Sequence, residues 1–199
     1  MTNRILCVLL TCFSFACNKQ VETATENTNA PSSQYIEYII KKGNHYTERN
    51  EYRALHLSSL QFTVLFDSSC IYNTARESNA DDINKLYGFS DCSTPHHENS
   101  ARFGWRWNGN GLEIHAYCYN NNNRQSKYLG NIPIGQPVNM SITIEGAAYV
   151  FEINGRKEKM QRHCSGPVAE GYQLYPYFGG DETAPHDVRV LIKDAALSN

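Results

Sequence analysis

The residues best suited to chemistry lie in the segment RFGWRWNGNGLEIHAYCY, residues 102–119. If Asn108 to Gly111 form a four-residue loop, the flanking strands pair so that alternate side chains share a face. One face then carries two arginines, a histidine and two tyrosines: Arg102, Arg106, His115, Tyr117 and Tyr119. Arginine can hold a carboxylate with two hydrogen bonds, and histidine and tyrosine can act as general base and acid. The segment predicts a groove for a uronate sugar. Its catalytic residues, if it is a lyase, would be Arg106, His115 and Tyr117.

The same face has a simpler interpretation. The pairing places Glu113 opposite Arg106, and an exposed ion pair of this kind is worth under about 1 kcal/mol. The face would then be solvated and without a ligand. Glycoside hydrolysis with retention needs two carboxylates about 5 Å apart. Glu113 stands alone on its strand, so the sequence disfavours a glucanase.

A second candidate site lies in YPYFGGDETAPHDVRV, residues 175–190. The pair Gly179-Gly180 allows a sharp turn because glycine adopts backbone angles closed to other residues. Oxygen ligands for calcium, the one cofactor that the sequence suggests, could come from Asp187, Asp181 and Glu182. In the alternative, favoured interpretation, Asp187 accepts hydrogen bonds from N–H groups of the loop. A transition-metal site at His96-His97 is disfavoured, because neighbouring residues of an extended segment point in opposite directions.

The elements that must position these residues are strands. Apolar residues recur with a period of two, and turn signals such as Asn154-Gly155 separate the segments. No apolar stripe of helical period and useful length appears, and the only helical candidate is the short segment ESNADDINKLYG, residues 77–88. Ten to twelve short strands with one buried face each predict a single antiparallel β-sandwich over residues 35–199. The predicted core faces are Leu60, Phe62, Val64 and Phe66; Leu112, Ile114, Ala116 and Cys118; Val138, Met140, Ile142 and Ile144; Tyr149, Phe151 and Ile153; and Val188, Val190 and Ile192.

The chain resembles exported bacterial proteins of the concanavalin A-like jelly-roll superfamily, which includes lectins, carbohydrate-binding modules, glucanases and polysaccharide lyases. The resemblance covers roughly residues 36–194 and rests on the architecture and the closing segment PYFGGDETAPHDVRVLI. It implies an all-β jelly-roll sandwich with a saccharide groove on one sheet. EIH at 113–115 also resembles the Q-I-H motif of one alginate-lyase family, in which the histidine and a tyrosine are catalytic. That family's arginine motif and its YFKAGVY motif are absent.

The first residues, MTNRILCVLLTCFSFAC, have the pattern of a secretion signal whose apolar run is too short to span a bilayer. SFAC resembles a bacterial lipobox, with Ser14 in place of the usual leucine. We expect a signal peptide at residues 1–16, lipidation of Cys17 and a polar, flexible tether over residues 17–34. These features predict a lipid-anchored protein of the bacterial cell envelope, at the outer membrane or cell surface. The alternative is an ordinary secreted protein.

Four of the seven cysteines remain when Cys7, Cys12 and Cys17 are set aside. Cys70 and Cys118 lie in or beside apolar strands, as small core residues do. Cys92 and Cys164 lie in turn-like polar segments, and export permits disulfides, so we predict a Cys92–Cys164 bridge. There is no C-x-x-C pair, which disfavours a zinc ribbon.

The formal net charge is −2, so the composition does not indicate a nucleic-acid partner. Thirteen tyrosines and two tryptophans supply flat faces that suit either sugar stacking or plain sheet surfaces. Three functions follow as hypotheses: non-catalytic glycan binding, lyase cleavage of uronate-containing glycans, and a structural or adhesive role in the envelope. The lack of a complete catalytic signature favours the first and third over an enzyme.

Overall fold

The computed structural model describes residues 34–195 as twelve strands and two short 3-10 turns. The predicted signal peptide, Cys17 and all of the tether before Gln34 lie outside the described residues. The 3-10 turns are Ser68–Cys70 and Glu77–Asn79. The strands are β1 Ile36–Ile40, β2 Ala54–Leu57, β3 Ser59–Phe66, β4 Asn84–Ser90, β5 Ser100–Trp107, β6 Leu112–Asn120, β7 Asn123–Ile132, β8 Val138–Glu145, β9 Ala148–Ile153, β10 Arg156–Gln161, β11 Ala169–Leu174 and β12 Val188–Asp194.

The strands form two antiparallel sheets of six strands each. The first sheet has the order β1-β12-β3-β8-β9-β10, and the second has the order β2-β11-β4-β5-β6-β7. Neighbours in each sheet are far apart in sequence at β12-β3, β3-β8 and β11-β4, which is the crossing pattern of a jelly roll rather than of a simple meander. The predicted all-β jelly-roll sandwich is confirmed.

The core lies between the two sheets, and every residue of the five predicted core faces is buried. Aromatic rings meet across the core: Phe103 of β5 contacts Phe62 of β3 and Phe151 of β9, both edge to face. Alternation thus sorts the side chains of each strand between the core and the outer surface of its sheet.

The hairpin β5-β6 has the predicted register. Trp107 pairs with Leu112, and the Asn108 N–H donates to the Gly111 carbonyl at 3.2 Å. The hairpin at Asn154-Gly155 is also confirmed, with φ of 50° and 77° at the two turn residues. Positive φ at both positions is what a tight two-residue hairpin turn requires.

The helical candidate at residues 77–88 does not form a helix. Only Glu77–Asn79 makes a 3-10 turn, and Asn84–Ser90 is strand β4 between β5 and β11. The local helix propensity of this segment is outweighed by tertiary contacts. As a strand it buries Leu86 and Phe89 completely, and its backbone pairs with a neighbour on each side. The register shifts between Lys85 and Gly88, where the strand carries an irregularity.

A disulfide joins Cys92 and Cys164, the pair singled out from the sequence, with their Cα atoms 5.5 Å apart. It links the turn after β4 to the loop after β10. Cys70 and Cys118 are buried free thiols, as expected for core residues. Within residues 34–195, no helix is long and apolar enough to cross a membrane.

Candidate functional site

A groove with a volume of about 520 Å³ runs over the outer surface of the second sheet. Its floor comes from β5 and β6, where Arg102 lies directly opposite Tyr117 in the ladder. One wall is the loop between β1 and β2, which contributes Tyr46 and Tyr52. The other wall is the segment 172–180, which includes the end of β11 and the turn after it.

The five predicted site residues all lie on this outer face, because the confirmed register alternates them with core residues. The structure nevertheless divides them into two groups. Arg102, Tyr117 and Tyr119 line the groove, whereas Arg106 and His115 lie beyond it. Nothing in the hairpin sequence distinguishes the two groups, since both alternate identically.

Arg106 and His115 belong to a cluster around Glu113. The Arg106 Nε donates to Glu113 Oε2 at 2.5 Å, and its Nη1 forms an ion pair with Asp81. His115 is only 6% exposed, and its Nε2 lies 3.4 Å from Glu113 Oε2. Burial opposes ionisation of Glu113, but hydrogen bonds from Arg106 and Asn108 outweigh it and hold the pKa of this carboxyl below its usual range. Arg106 is therefore already neutralised by two carboxylates, and the predicted alternative Arg106–Glu113 pair is present.

Arg102 has the opposite environment. Its Nη2 donates to the carbonyl oxygen of Tyr175 at 2.6 Å, and its buried Nε–H has no acceptor among the described residues. Within residues 34–195, no carboxylate lies in ion-pair distance of it. Burial lowers the pKa of Arg102 to about 10, so the group stays charged at neutral pH. The floor of the groove thus carries a largely buried and uncompensated cation.

Lys85 of β4 is a groove residue that the sequence analysis missed, because it lies in the helical candidate. Its Nζ donates to the carbonyl oxygen of Gly179 at 2.8 Å. The ring centroids of Tyr117 and Tyr177 each lie 5.5 Å from this nitrogen. In the structure Lys85 pairs with Gly104 across the β4-β5 ladder, beside the predicted face.

Two exposed tyrosines on the wall of the groove were also missed. Tyr46 is 64% exposed, and its ring meets that of Tyr177 edge to face with the centroids 4.9 Å apart. Tyr52 is 79% exposed, and its ring centroid lies 5.9 Å from that of Tyr172. Large, open aromatic faces beside a groove are suited to stacking against sugar rings. The loop that carries them has no motif, so only its position in the fold reveals them.

The argument that His96 and His97 point in opposite directions applies to an extended segment and does not hold here. They lie in a turn rather than an extended segment, their ring centroids are 4.2 Å apart, and both line the groove. His96 Nδ1 lies 2.9 Å from the Tyr172 hydroxyl. Burial, followed by the charge of His97 and then Arg102, lowers the pKa of His96 to about 4, so His96 is neutral near pH 7.

Two of the three carboxylates proposed for calcium accept hydrogen bonds from the protein. Asp187 accepts hydrogen bonds from the backbone N–H of Lys42 at 2.9 Å and from Lys41 Nζ at 3.1 Å. Glu182 accepts from the two backbone N–H groups of residues 75–76, each at 2.8 Å. Asp187 thus accepts from one loop N–H group, that of Lys42 between β1 and β2, which agrees in part with the favoured interpretation.

The three proposed calcium ligands are not brought together. Among the described residues, the one group of three potential ligands within 4.8 Å of one another is Asp91, Cys92 and Cys164, and both cysteines are in the disulfide. Asp181 is exposed in the loop after Gly179, where φ is +71°. A Cβ at Gly179 would lie 2.1 Å from the Glu182 carbonyl oxygen, so the predicted glycine turn is confirmed. Calcium binding stays a prediction.

Comparison with known proteins finds likeness in structure only. No family model and no curated protein matches the chain. The structure of the alginate lyase AlyC3 is similar with a TM-score of 0.55 and 10% identity, over 82% of this chain and 74% of that one. An alginate lyase from Alteromonas sp. 272 is similar with a TM-score of 0.51 and 9% identity, over 83% and 88% of the two chains. At these identities the likeness shows a shared jelly-roll fold and leaves activity to be argued from the groove.

Proposed function

We propose that the protein binds an acidic, uronate-containing glycan in the groove without cleaving it. The observation that carries the proposal is Arg102, a cation at the floor of the groove with no carboxylate partner among residues 34–195. A buried charge is costly unless a counter-charge approaches it. The carboxylate of an acidic sugar supplies that counter-charge.

The charge of the groove differs from that of the chain. The formal net charge is −2 over the whole sequence, whereas Lys85, Arg102 and Arg124 line the groove beside one acid, Glu51. A concave surface with an excess of one sign concentrates ligands of the opposite sign. This charge distribution supports an anionic ligand over a neutral one.

The aromatic lining supports a sugar rather than a small anion. Seven tyrosines line the groove. Their rings supply apolar faces and their hydroxyls supply hydrogen bonds, and sugar rings present both kinds of surface. Cations on the floor and tyrosines along the walls together match the repeating carboxylates and rings of a polyuronate. That the two similar structures are named as alginate lyases is compatible with this ligand class.

Binding is favoured over cleavage by the position of His115. The proposed lyase residues are divided, with Tyr117 in the groove and Arg106 and His115 in the cluster around Glu113. A general base must come within hydrogen-bond reach of the proton that it removes. His115, 6% exposed and beyond the groove, does not meet this requirement in the observed arrangement.

The proposed setting is the bacterial cell envelope. Lipidation at Cys17 and a polar tether to about residue 34 would hold the sandwich close to the membrane and leave the groove accessible. An anchored domain of this kind would retain acidic polysaccharide at the outer membrane or cell surface.

The test is calorimetric titration of the purified protein with oligomers of alginate and polygalacturonate, and with a neutral β-glucan. We expect the acidic oligomers to bind, with affinity that falls as salt is added, and the glucan to bind at least tenfold more weakly. Arg102→Met should weaken acidic binding at least tenfold, or about 1.4 kcal/mol. Arg106→Met removes the same charge from the same face outside the groove and should have little effect.

Each contrary outcome has a distinct meaning. Equal loss in both arginine variants would place the ligand over the whole face, as the sequence suggested. Release of unsaturated uronate products, detected by their ultraviolet absorption, would establish the lyase alternative. No binding to any acidic oligomer would refute the proposal and favour the structural or adhesive role.

A further inference from the structure

Lys85 is held in a defined position by its backbone. Its N–H donates to the Tyr177 carbonyl at 2.8 Å, and the Tyr177 N–H donates to the Lys85 carbonyl at 2.9 Å. Directly across the ladder lies Gly104, where an added Cβ would lie 2.4 Å from Ile83 Cγ2, so the glycine makes room for the neighbouring Ile83. From this anchored position the Lys85 side chain lines the groove.

The ammonium is positioned but incompletely satisfied. It donates one hydrogen bond, to the Gly179 carbonyl, and lies 5.5 Å from the ring centroids of Tyr117 and Tyr177. A lysine ammonium has three N–H donors. No carboxylate of residues 34–195 forms an ion pair with it, so donors remain for a ligand in the groove.

We infer that Lys85 is the principal ligand-contacting cation of the groove and that its ammonium pairs with the carboxylate of one sugar unit. This inference rests on the proposed binding of an acidic glycan and adds a residue to it. Arg102 lies deeper, because its Nη2 donates to the Tyr175 carbonyl and its Nε–H is buried. Its positive charge stabilises the bound carboxylate from behind the ion pair between Lys85 and the sugar. The two tyrosine rings would flank the bound sugar on either side of the ammonium.

The groups facing Lys85 make its charge costly without a ligand. Arg102 on β5 and Arg124 on β7 repel it, while Asp82, just before β4, attracts it from beyond ion-pair distance. Tyr117 and Tyr177 present neutral rings. Burial, followed by the repulsion from Arg102, lowers the pKa of Lys85 to about 8.

An anionic ligand should relieve this repulsion and favour the protonated amine. Lys85 is charged below its pKa in the free protein, so affinity for a carboxylate is greatest below about pH 8 and falls above it. Uronate carboxylates remain ionised throughout this range, since carboxyl groups titrate near pH 4. The loss of affinity on raising the pH therefore reports the lysine.

The experiment titrates the full-length protein with a polygalacturonate oligomer at about pH 6.5 and about pH 9, on either side of this transition. Wild-type affinity should fall up to about tenfold between the two, following the protonated fraction of Lys85. Lys85→Arg keeps a charge at both values, because arginine titrates far above them. The Lys85→Arg variant should bind the oligomer with nearly the same affinity at the two pH values. Lys85→Met should bind at least tenfold more weakly at the lower pH and show a flat profile.

A matched control is Lys159→Met, which removes an exposed lysine paired with Glu145 at the edge of the first sheet. It should retain the wild-type affinity and pH profile. Thermal melts of each variant separate loss of binding from loss of folding, and Lys85→Arg gives a second readout if Lys85→Met is unstable.

Two results overturn the inference while the proposed function stands: wild-type-like binding by Lys85→Met at the lower pH, or a wild-type affinity that is the same at both values. If the wild-type protein binds no polyuronate at either pH, the proposed function and this inference both fail.

Discussion

Arg102 and Arg106 are four positions apart on one strand, face the same side of the sheet and have opposite environments. Arg106 contacts two carboxylates, Glu113 and Asp81, whereas Arg102 has a backbone carbonyl and a buried N–H without an acceptor. An arginine that is already neutralised stabilises its surroundings but offers little to an anion. The capacity to bind an acidic ligand therefore follows from the partners of a side chain and not from its type.

A second charged pair is fully buried next to the disulfide. Asp91 and Arg162 have side chains 1% exposed, with Nε and Oδ2 2.7 Å apart. Asp91 also accepts from the Tyr149 hydroxyl at 2.8 Å and from the backbone N–H groups of Cys92 and Glu170. The Asp91 carboxylate is therefore satisfied by hydrogen bonds as well as by its counter-charge. A buried ion pair is tolerated only under that condition.

Removing one partner of this pair should be strongly destabilising. Asp91→Ala leaves the Arg162 guanidinium buried without its counter-charge, and we expect a loss of about 3–5 kcal/mol in the free energy of unfolding. Glu145→Ala, which breaks the exposed pair with Lys159, should cost much less, because water screens an exposed ion pair. Denaturant unfolding of the two variants measures both, and similar losses would contradict the distinction.

At the level of elements, strands supply the floor of the groove and the connections between strands supply much of its walls. The turn after β4 carries His96 and His97, and the disulfide at Cys92 ties it to the loop after β10. The turn at Gly179 supplies the carbonyl that fixes the Lys85 ammonium. Both connections lie at the ends of strands, where a rigid sheet holds their positions.

Breaking the disulfide should lower stability, because it closes a long loop in the unfolded chain. The bridged residues are 72 positions apart, and Cys92→Ser with Cys164→Ser should cost about 2–4 kcal/mol in urea unfolding. Reductant should shift the wild-type curve to the same position and leave the double variant unchanged. Peptide mapping without reductant that finds two free thiols would refute the bridge.

At the scale of the whole molecule, a weakly acidic chain concentrates positive charge in one groove on one sheet. The first sheet and the edges carry exposed ion pairs such as Lys159–Glu145 and Arg189–Glu37, which balance locally. In the groove the cations lack such partners among the described residues. The sandwich therefore presents one distinct face to an anionic polymer.

The proposed lipid anchor belongs to this scale, because it determines where that face operates. Cys17→Ser should abolish lipid attachment and move the protein from the membrane fraction to a soluble fraction. Metabolic labelling with a radioactive or clickable fatty acid, together with membrane fractionation, measures both effects. Unchanged labelling in the variant would exclude Cys17 as the lipidated residue and leave an ordinary secreted protein as the better interpretation.

The sequence by itself determined the sandwich, its core and the register of its central hairpin. Period-two alternation selects the buried face of a strand, and turn residues such as Asn154-Gly155 fix the pairing of its neighbours. The Cys92–Cys164 bridge followed from local context as well. These features are predictable because each depends on the local sequence: on the alternation of apolar and polar residues and on the turn residues that follow. Strand β4 was misjudged because one of its two partner strands, β11, is remote in sequence, so the pairing that overrides its local pattern is not visible in the segment itself.

Only the tertiary structure decided which polar residues form a site. Lys85, Tyr52 and His96 come from three separate segments and line one groove with Arg102, because the jelly-roll crossings bring β4, β11 and β2 into one sheet. The same packing supplied Asp81 to Arg106 and so removed that arginine from the set available to a ligand. Alternation places a side chain on a face, but its partners, burial and pKa depend on groups that only folding brings within a few ångströms.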